Sequence, residues 1–165
     1  MFNFLDKLVS RFSFILQNLA IFAFIILTYS VIYEVVARSI LNKPTIWSLE
    51  IVTYMISCVA FFGSAYVLRI NKHLEVNLFT NILPDNMKFI LNFFSNLVAA
   101  IFCFIAFYYG CKLINLTYIL GVVSVSELRI PVWIPQLTVP IGFFALTLEF
   151  LIRIFRIIKF RKKSQ

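Results

Sequence analysis

Four stretches of the chain are apolar and free of charge. The first is Phe12 to Tyr33, 22 residues between Arg11 and Glu34. The second is Ile51 to Leu68, 18 residues between Glu50 and Arg69. The third is Phe89 to Cys111, 23 residues between Lys88 and Lys112. The fourth, Ile130 to Leu148, holds Pro131, Pro135 and Pro140. Proline costs least at a helix start, so this helix is expected from about Pro135 to about Phe155. Each run is close to the ~20 residues that cross a ~30 Å hydrocarbon core. Only helices satisfy the backbone there at this length; barrel strands are about half as long and alternate. The pattern predicts one all-α integral membrane domain over residues 1–165. Its four transmembrane helices are expected over about 12–35, 48–68, 87–112 and 135–155.

The first run is too long for a cleaved signal peptide, and no A-x-A site follows it. Phe2, Leu5, Val9 and Phe12 recur at near-helical spacing and predict a short interfacial helix leading in. Leu74, Leu78, Phe79 and Ile82 predict another over about 74–82, before Pro84-Asp85 turns the chain into the third span.

Composition agrees with a bilayer as solvent. Of 165 residues, 62% are hydrophobic and 13% charged, with 20 Phe and a mean hydropathy of +0.95. A soluble domain of this size has too much surface to hide that apolar area. A soluble enzyme, a disordered tail and a disulfide scaffold are excluded. The net charge of +8 is unevenly placed. Eleven Lys and Arg fall in the N-terminus, the loop between spans two and three, and the tail; four (Arg38, Lys43, Lys112 and Arg129) fall on the other side. The positive-inside rule puts both termini in the cytoplasm. The basic tail can also grip anionic membrane lipids, though orientation alone explains it. No basic soluble face exists to bind nucleic acid. Cys58, Cys103 and Cys111 form no C-x-x-C, and a lone His73 makes no metal cluster. No cofactor is expected.

Membrane helices meet through small residues, because lipid removes the hydrophobic drive between them. The third span carries Asn92, Ser95, Ala99, Cys103, Ala106 and Gly110 in steps of three and four. The second repeats this with Ser57, Ala60 and Ser64, and the fourth with Gly142 and Ala145. These are contact faces, either within this chain or toward a second membrane protein. Charges sit at the span ends. Glu34 with Arg38, and Glu149 with Arg153, are four apart and read as interfacial ion pairs. Thr45 or Ser48 can cap the second helix, and Trp47 suits the interface. Glu50 lies in that helix's first turn, where a carboxylate suits the dipole. Lys112 snorkels if the third helix runs on toward Tyr118.

Several of these pieces recur in a fixed order. Arg38 ends the first span, and Trp47-x-x-Glu50 opens the second. Gly63-Ser64-Ala65-Tyr66-Val67-Leu68-Arg69 closes it, followed by His73-Leu74-Glu75-Val76 and Leu83-Pro84. Ile130-Pro131-x-Trp133 precedes Val139-Pro140-Ile141-Gly142. The ordered set, over roughly residues 30 to 150, resembles the small membrane subunit (DctQ type) of tripartite ATP-independent periplasmic, or TRAP, transporters. The chain departs from that pattern at Asn71, where the family often has glycine; asparagine also tolerates positive φ.

The resemblance implies a bacterial inner-membrane protein with two protein partners. A periplasmic substrate-binding protein captures an organic acid such as sialic acid or a C4-dicarboxylate. A large multi-span permease subunit, here expected as a separate chain, carries it inward with sodium. The small subunit is then a scaffold, not an enzyme. Arg38, Trp47, Glu50, Arg69, His73, Glu149 and Arg153 are the expected anchors at helix ends. An autonomous small transporter acting as an oligomer is the alternative, and Glu149 is its one candidate carboxylate. A membrane enzyme would need a constellation that Ser124, Ser126, Glu127 and Arg129 do not form.

Overall fold

A computed structural model describes residues 2–40, 45–70, 85–124 and 128–161. His73 and the interfacial helix expected over 74–82 lie outside the described residues, as do Lys43, Pro84 and Glu127. Helix α1 spans Phe2–Ile40, α2 Ile46–Ile70, α3 Asp85–Ile119, α4 Trp133–Gln136 and α5 Thr138–Arg161. Three of these, α1, α2 and α3, are long and apolar enough to cross a membrane.

Helix α1 has 39 residues, or ~58 Å at 1.5 Å per residue. The lead-in over Phe2 to Phe12 is therefore continuous with the first span and not a separate helix. The reason is local: no glycine or proline occurs before Pro44. Helix α3, with 35 residues, runs past Lys112 to Ile119, and Lys112 lies over the Tyr108 ring at 5.4 Å. Helix α5 starts at Thr138, because Pro135 belongs to the single turn α4. Thr138 Oγ1 donates to the Pro135 carbonyl at 2.8 Å, and Pro140 falls in the first turn, where no N–H is needed.

The loop between α3 and α4 doubles back on itself. Ser124 N–H donates to Ile130 O at 2.9 Å, and Val132 N–H to Val122 O at 3.1 Å, around an isolated Val123–Pro131 bridge. Gly121 and Arg129 both take positive φ there, at 60° and 44°. Trp133 sits edge-on to Tyr118, with centroids 5.8 Å apart, and fixes this loop to the end of α3.

The helices form a row in the order α1, α2, α5, α3. Extended packing joins α1 to α2, α2 to α5 and α5 to α3. Helix α1 also reaches α5, at the end marked by Ser13 and Glu149. Among the described residues no extended contact joins α1 to α3, as a closed square bundle would require. The seams have a period of 3.5, the geometry of left-handed pairs. On α1 the enclosed positions are Ser13, Leu16, Ala20, Ala23, Ser30 and Ala37, with Leu27 and Glu34 half-buried between them. On α3 they are Asn96, Ala100, Cys103, Gly110 and Thr117. Small residues let the helices approach closely, which is the main source of adhesion in lipid. The outer faces carry Phe22, Ile25, Tyr29, Phe102 and Tyr109, each exposed by 50% or more.

Helix α5 has two such seams. One includes Gly142, Ala145 and Glu149; the other begins at Pro140 and returns at Thr147 and Ile154. Ala145 is fully enclosed with Leu16 and Ala65. The Gly142 backbone lies against Phe61 so closely that a Cβ would stand 2.6 Å from that residue's Cβ. Pro140 packs on Gly110 of α3, and Phe143 meets Phe61 on one side and Phe102 on the other.

Candidate functional site

Polar side chains gather at the two ends of the row. At the end that holds the start of α1 and the close of α2 and α5, four charges form a chain. Glu149, with a side chain 5% exposed, accepts from Arg69 Nη1 at 2.9 and 3.2 Å. It also accepts the Ser13 hydroxyl proton at 2.6 Å. Arg69 Nη2 donates to the carboxylate and the carbonyl of Asp6, at 2.9 and 3.2 Å. Arg156 Nη2 donates to the same Asp6 carboxylate at 3.1 Å. Three helices are therefore tied together through one guanidinium. A buried carboxylate is tolerable only with such partners, since an uncompensated charge costs several kcal/mol.

The i+4 spacing pairs Glu149 with Arg153 on its own helix. The structure also places the Glu149 carboxylate against Ser13 of α1 and Arg69 of α2, which makes it a link between helices. Arg153 is half-buried. Sequence spacing does not single out Asp6, Ser13 or Arg156, although they complete the group. Sequence separations of 63, 80 and 150 residues explain why no local pattern shows it.

The opposite end joins α1 to the start of α2. Arg38 lies 3.2 Å from Glu34. Thr45 gives both its backbone N–H and its hydroxyl proton to the other Glu34 oxygen. Ser48, wholly enclosed, donates to the Ser30 carbonyl of α1 at 3.1 Å. Both hydroxyls thus bind α1, where the sequence suggests a cap for α2. Trp47 stacks at a tilt on Tyr33 with centroids 5.4 Å apart. Glu50 is buried and accepts the Tyr54 hydroxyl proton at 2.5 Å. The two ends hold the α1–α2 hairpin in register, and the Arg69 end adds α5.

The small-residue faces divide. Gly110 is buried on Pro140, and Ala106 and Ala99 are half-buried. Ser95 is exposed, because the enclosed stripe at that end of α3 runs through Asn96 and Ala100. Ser57 donates to its own helix at Thr53 O, and Ser64 to Phe61 O. Ala60 and Ser64 line an open groove between α1 and α2.

Comparison with known proteins matches the same region. The family model described as tripartite ATP-independent periplasmic transporters, DctQ component, covers residues 27–160. A sialic acid TRAP transporter permease protein, SiaT, of Haemophilus influenzae (strain 86-028NP), is 24% identical over 84 residues. That alignment takes in 51% of this chain but only 14% of the relative's length. The family match spans well over half of the chain and includes Arg38, Trp47, Glu50, Arg69, Glu149 and Arg153. The chain belongs to the DctQ family of TRAP transporter components, and is a transmembrane transport protein of the small-subunit type.

Proposed function

We propose that this small subunit is a static membrane scaffold for a large permease subunit that carries organic acids inward with sodium. The observation that carries the reading is the row itself. Its helices keep broad apolar outer faces, while its most enclosed carboxylate is already engaged by Arg69 and Ser13. A rigid slab enlarges the membrane frame of a partner; a committed Glu149 has little left to offer a substrate. The substrate class follows the family and the SiaT relative, sialic acid or a C4-dicarboxylate, and its choice rests with the other subunits. The loop over 121–132 faces the periplasm in this scheme and meets the substrate-binding protein.

In the same reading α5 is a fourth span. Its 24 residues measure ~36 Å, enough for a ~30 Å core. Its charges, Glu149, Arg153, Arg156, Lys159 and Arg161, gather in its second half, toward the cytoplasm. Both termini and the Arg69 end are cytoplasmic by the Lys and Arg count. The first turns of α1 lie at that surface. Arg38, Trp47, Glu50, Arg69, His73, Glu149 and Arg153 act as anchors, through helix registration and not through substrate. Localisation is the bacterial inner membrane.

The test is a mild-detergent pull-down of the tagged chain from its native membrane, with mass spectrometry of what accompanies it. A large multi-span permease at about one-to-one supports the scaffold. Recovery of the chain alone or as a homo-oligomer, with transport by the pure protein that Glu149→Gln abolishes, supports the autonomous transporter and rejects the scaffold.

A further inference from the structure

Two adjoining cavities run along one side of the α1–α2 pair. The first is polar, about 530 Å³, and is lined by Arg11, Arg69, Arg156, Asp6 and Ser10. The second is apolar, about 450 Å³, with walls that include Ile21, Phe24, Ala60, Gly63 and Val67. Both volumes suit small-molecule ligands. Tyr66 lines both, and Phe14, on the wall of the polar one, lies edge-on to Tyr66 at 6.3 Å. The α1 positions step by three and four from Asp6 through Ser10, Phe14, Gln17 and Ile21 to Phe24. The α2 positions answer in reverse from Ile70 through Tyr66 and Gly63 to Val59. The two cavities therefore meet at Tyr66 along one groove line between α1 and α2, a charged head beside an apolar trough.

We infer that this groove binds one anionic glycerophospholipid, with its phosphate among Arg11, Arg69 and Arg156 and an acyl chain beside Gly63. Charge selects the headgroup. Among the described residues the lining carries three cations against one anion, and guanidinium groups suit phosphate oxygens. With Glu149 counted behind Arg69, the group still keeps a positive charge. Arg69 spends both terminal nitrogens on Asp6 and Glu149 and adds charge to the head, while Arg156, held by Asp6, and Arg11 supply the donors. Length selects the tail. Phe14 to Phe24 is ten residues of helix, ~15 Å, about half of a ~30 Å core and so one leaflet. A free phosphate would use the head and ignore the trough; a protein helix would fill the trough and leave the cationic head unused.

The test uses the full chain, purified and stripped of lipid in detergent, titrated by native mass spectrometry. The probes are dioleoyl-phosphatidylglycerol, dioleoyl-phosphatidylcholine and inorganic phosphate. Phosphatidylglycerol should bind at one copy, about fivefold tighter than phosphatidylcholine, the scale of one cation near an anionic headgroup. Arg11→Gln should remove most of that preference, and Arg11 is exposed and outside the Asp6 and Glu149 contacts, so folding is not at stake. Ala60→Phe, at an exposed trough position, should weaken both lipids. Equal binding of the two lipids overturns the inference, and so does phosphate binding as tightly as phosphatidylglycerol. It also fails if the chain isolated with its permease partner carries no lipid and Ala60→Cys cross-links to that partner.

Discussion

Arg69 should be the most costly polar residue to replace. Its guanidinium holds Glu149 on one side and Asp6 on the other. The two sides differ in solvent. Glu149 is 5% exposed, so solvent screens it little once Arg69 is gone, while the Ser13 hydroxyl stays in place. Asp6 is 30% exposed and keeps Arg156 at 3.1 Å. Breaking a buried pair costs about 3–5 kcal/mol, whereas a screened pair contributes about 0–1 kcal/mol. Arg69→Met should therefore destabilise by about 3–5 kcal/mol, and Asp6→Asn by about 1 kcal/mol or less. The Arg69→Met, Glu149→Met double variant removes both buried charges and should recover about 2 kcal/mol or more of the single loss, because apolar replacement of a whole pair is near neutral. Unfolding in mixed micelles with rising dodecyl sulfate, read by Trp47 and Trp133 fluorescence, gives the four corners of the cycle. A double variant no more stable than Arg69→Met refutes the reasoning. So does an Asp6→Asn loss as large as that of Arg69→Met.

Other substitutions test separate parts of the scheme. Gly142→Ala forces a Cβ to within 2.6–2.9 Å of Phe61, backbone included, and should cost about 1–3 kcal/mol in the same assay. Gly63→Ala meets only Ala20 at 3.9 Å and should be near neutral; equal losses at the two glycines would deny that α2 and α5 touch backbone to backbone. Trp47→Ala removes the Tyr33 contact at the start of α2 and should lower uptake by lowering the yield of assembled complex, with substrate KM unchanged at full assembly. A changed KM with normal yield counts against an anchoring role. Val122→Cys, in a chain freed of its own cysteines, should react with an impermeant maleimide added from the periplasmic side. Labelling only after membrane disruption reverses the proposed orientation.

The three apolar helices are plain in the sequence, because charge marks both ends of each run. Sequence is less informative where polarity serves packing. Arg69 and Glu149 both stand out, yet as separate anchors, since the pair is formed across 80 residues. Spacing offers Glu149 only its helical neighbour Arg153, and three-dimensional proximity to Ser13 leaves no local mark. Asp6 is inconspicuous because it lies in a stretch whose period fits an interfacial helix. One signal is present in the sequence but hidden from hydropathy. Ser13, Leu16, Ala20, Ala23, Ser30 and Ala37 fit a strict alternation of three and four through the first span, and every one of them is enclosed. Phe and Ile on all other sides conceal this stripe, because hydropathy records how apolar a helix is and not which side is thin.

Helix α5 shows why the same reading is weakest at the centre of such a protein. In water the interior helix is the most apolar. In lipid an interior helix can satisfy polar groups against its neighbours, whereas a surface that faces lipid must be apolar. Helix α5 is the least apolar of the four long helices and buries Thr138, Thr147 and Glu149 between its two seams, whereas α2, which also has a neighbour on each side, is the most apolar. Glu149→Leu therefore separates the two quantities. It makes α5 more apolar, and hydropathy alone would expect a more stable membrane helix. The structure expects the reverse, a loss of about 1–3 kcal/mol, since Arg69 and Ser13 are left facing an apolar side chain. Dodecyl sulfate unfolding of Glu149→Leu decides between them, and a stabilised variant would mean that the polar interior of α5 contributes nothing to holding the row together.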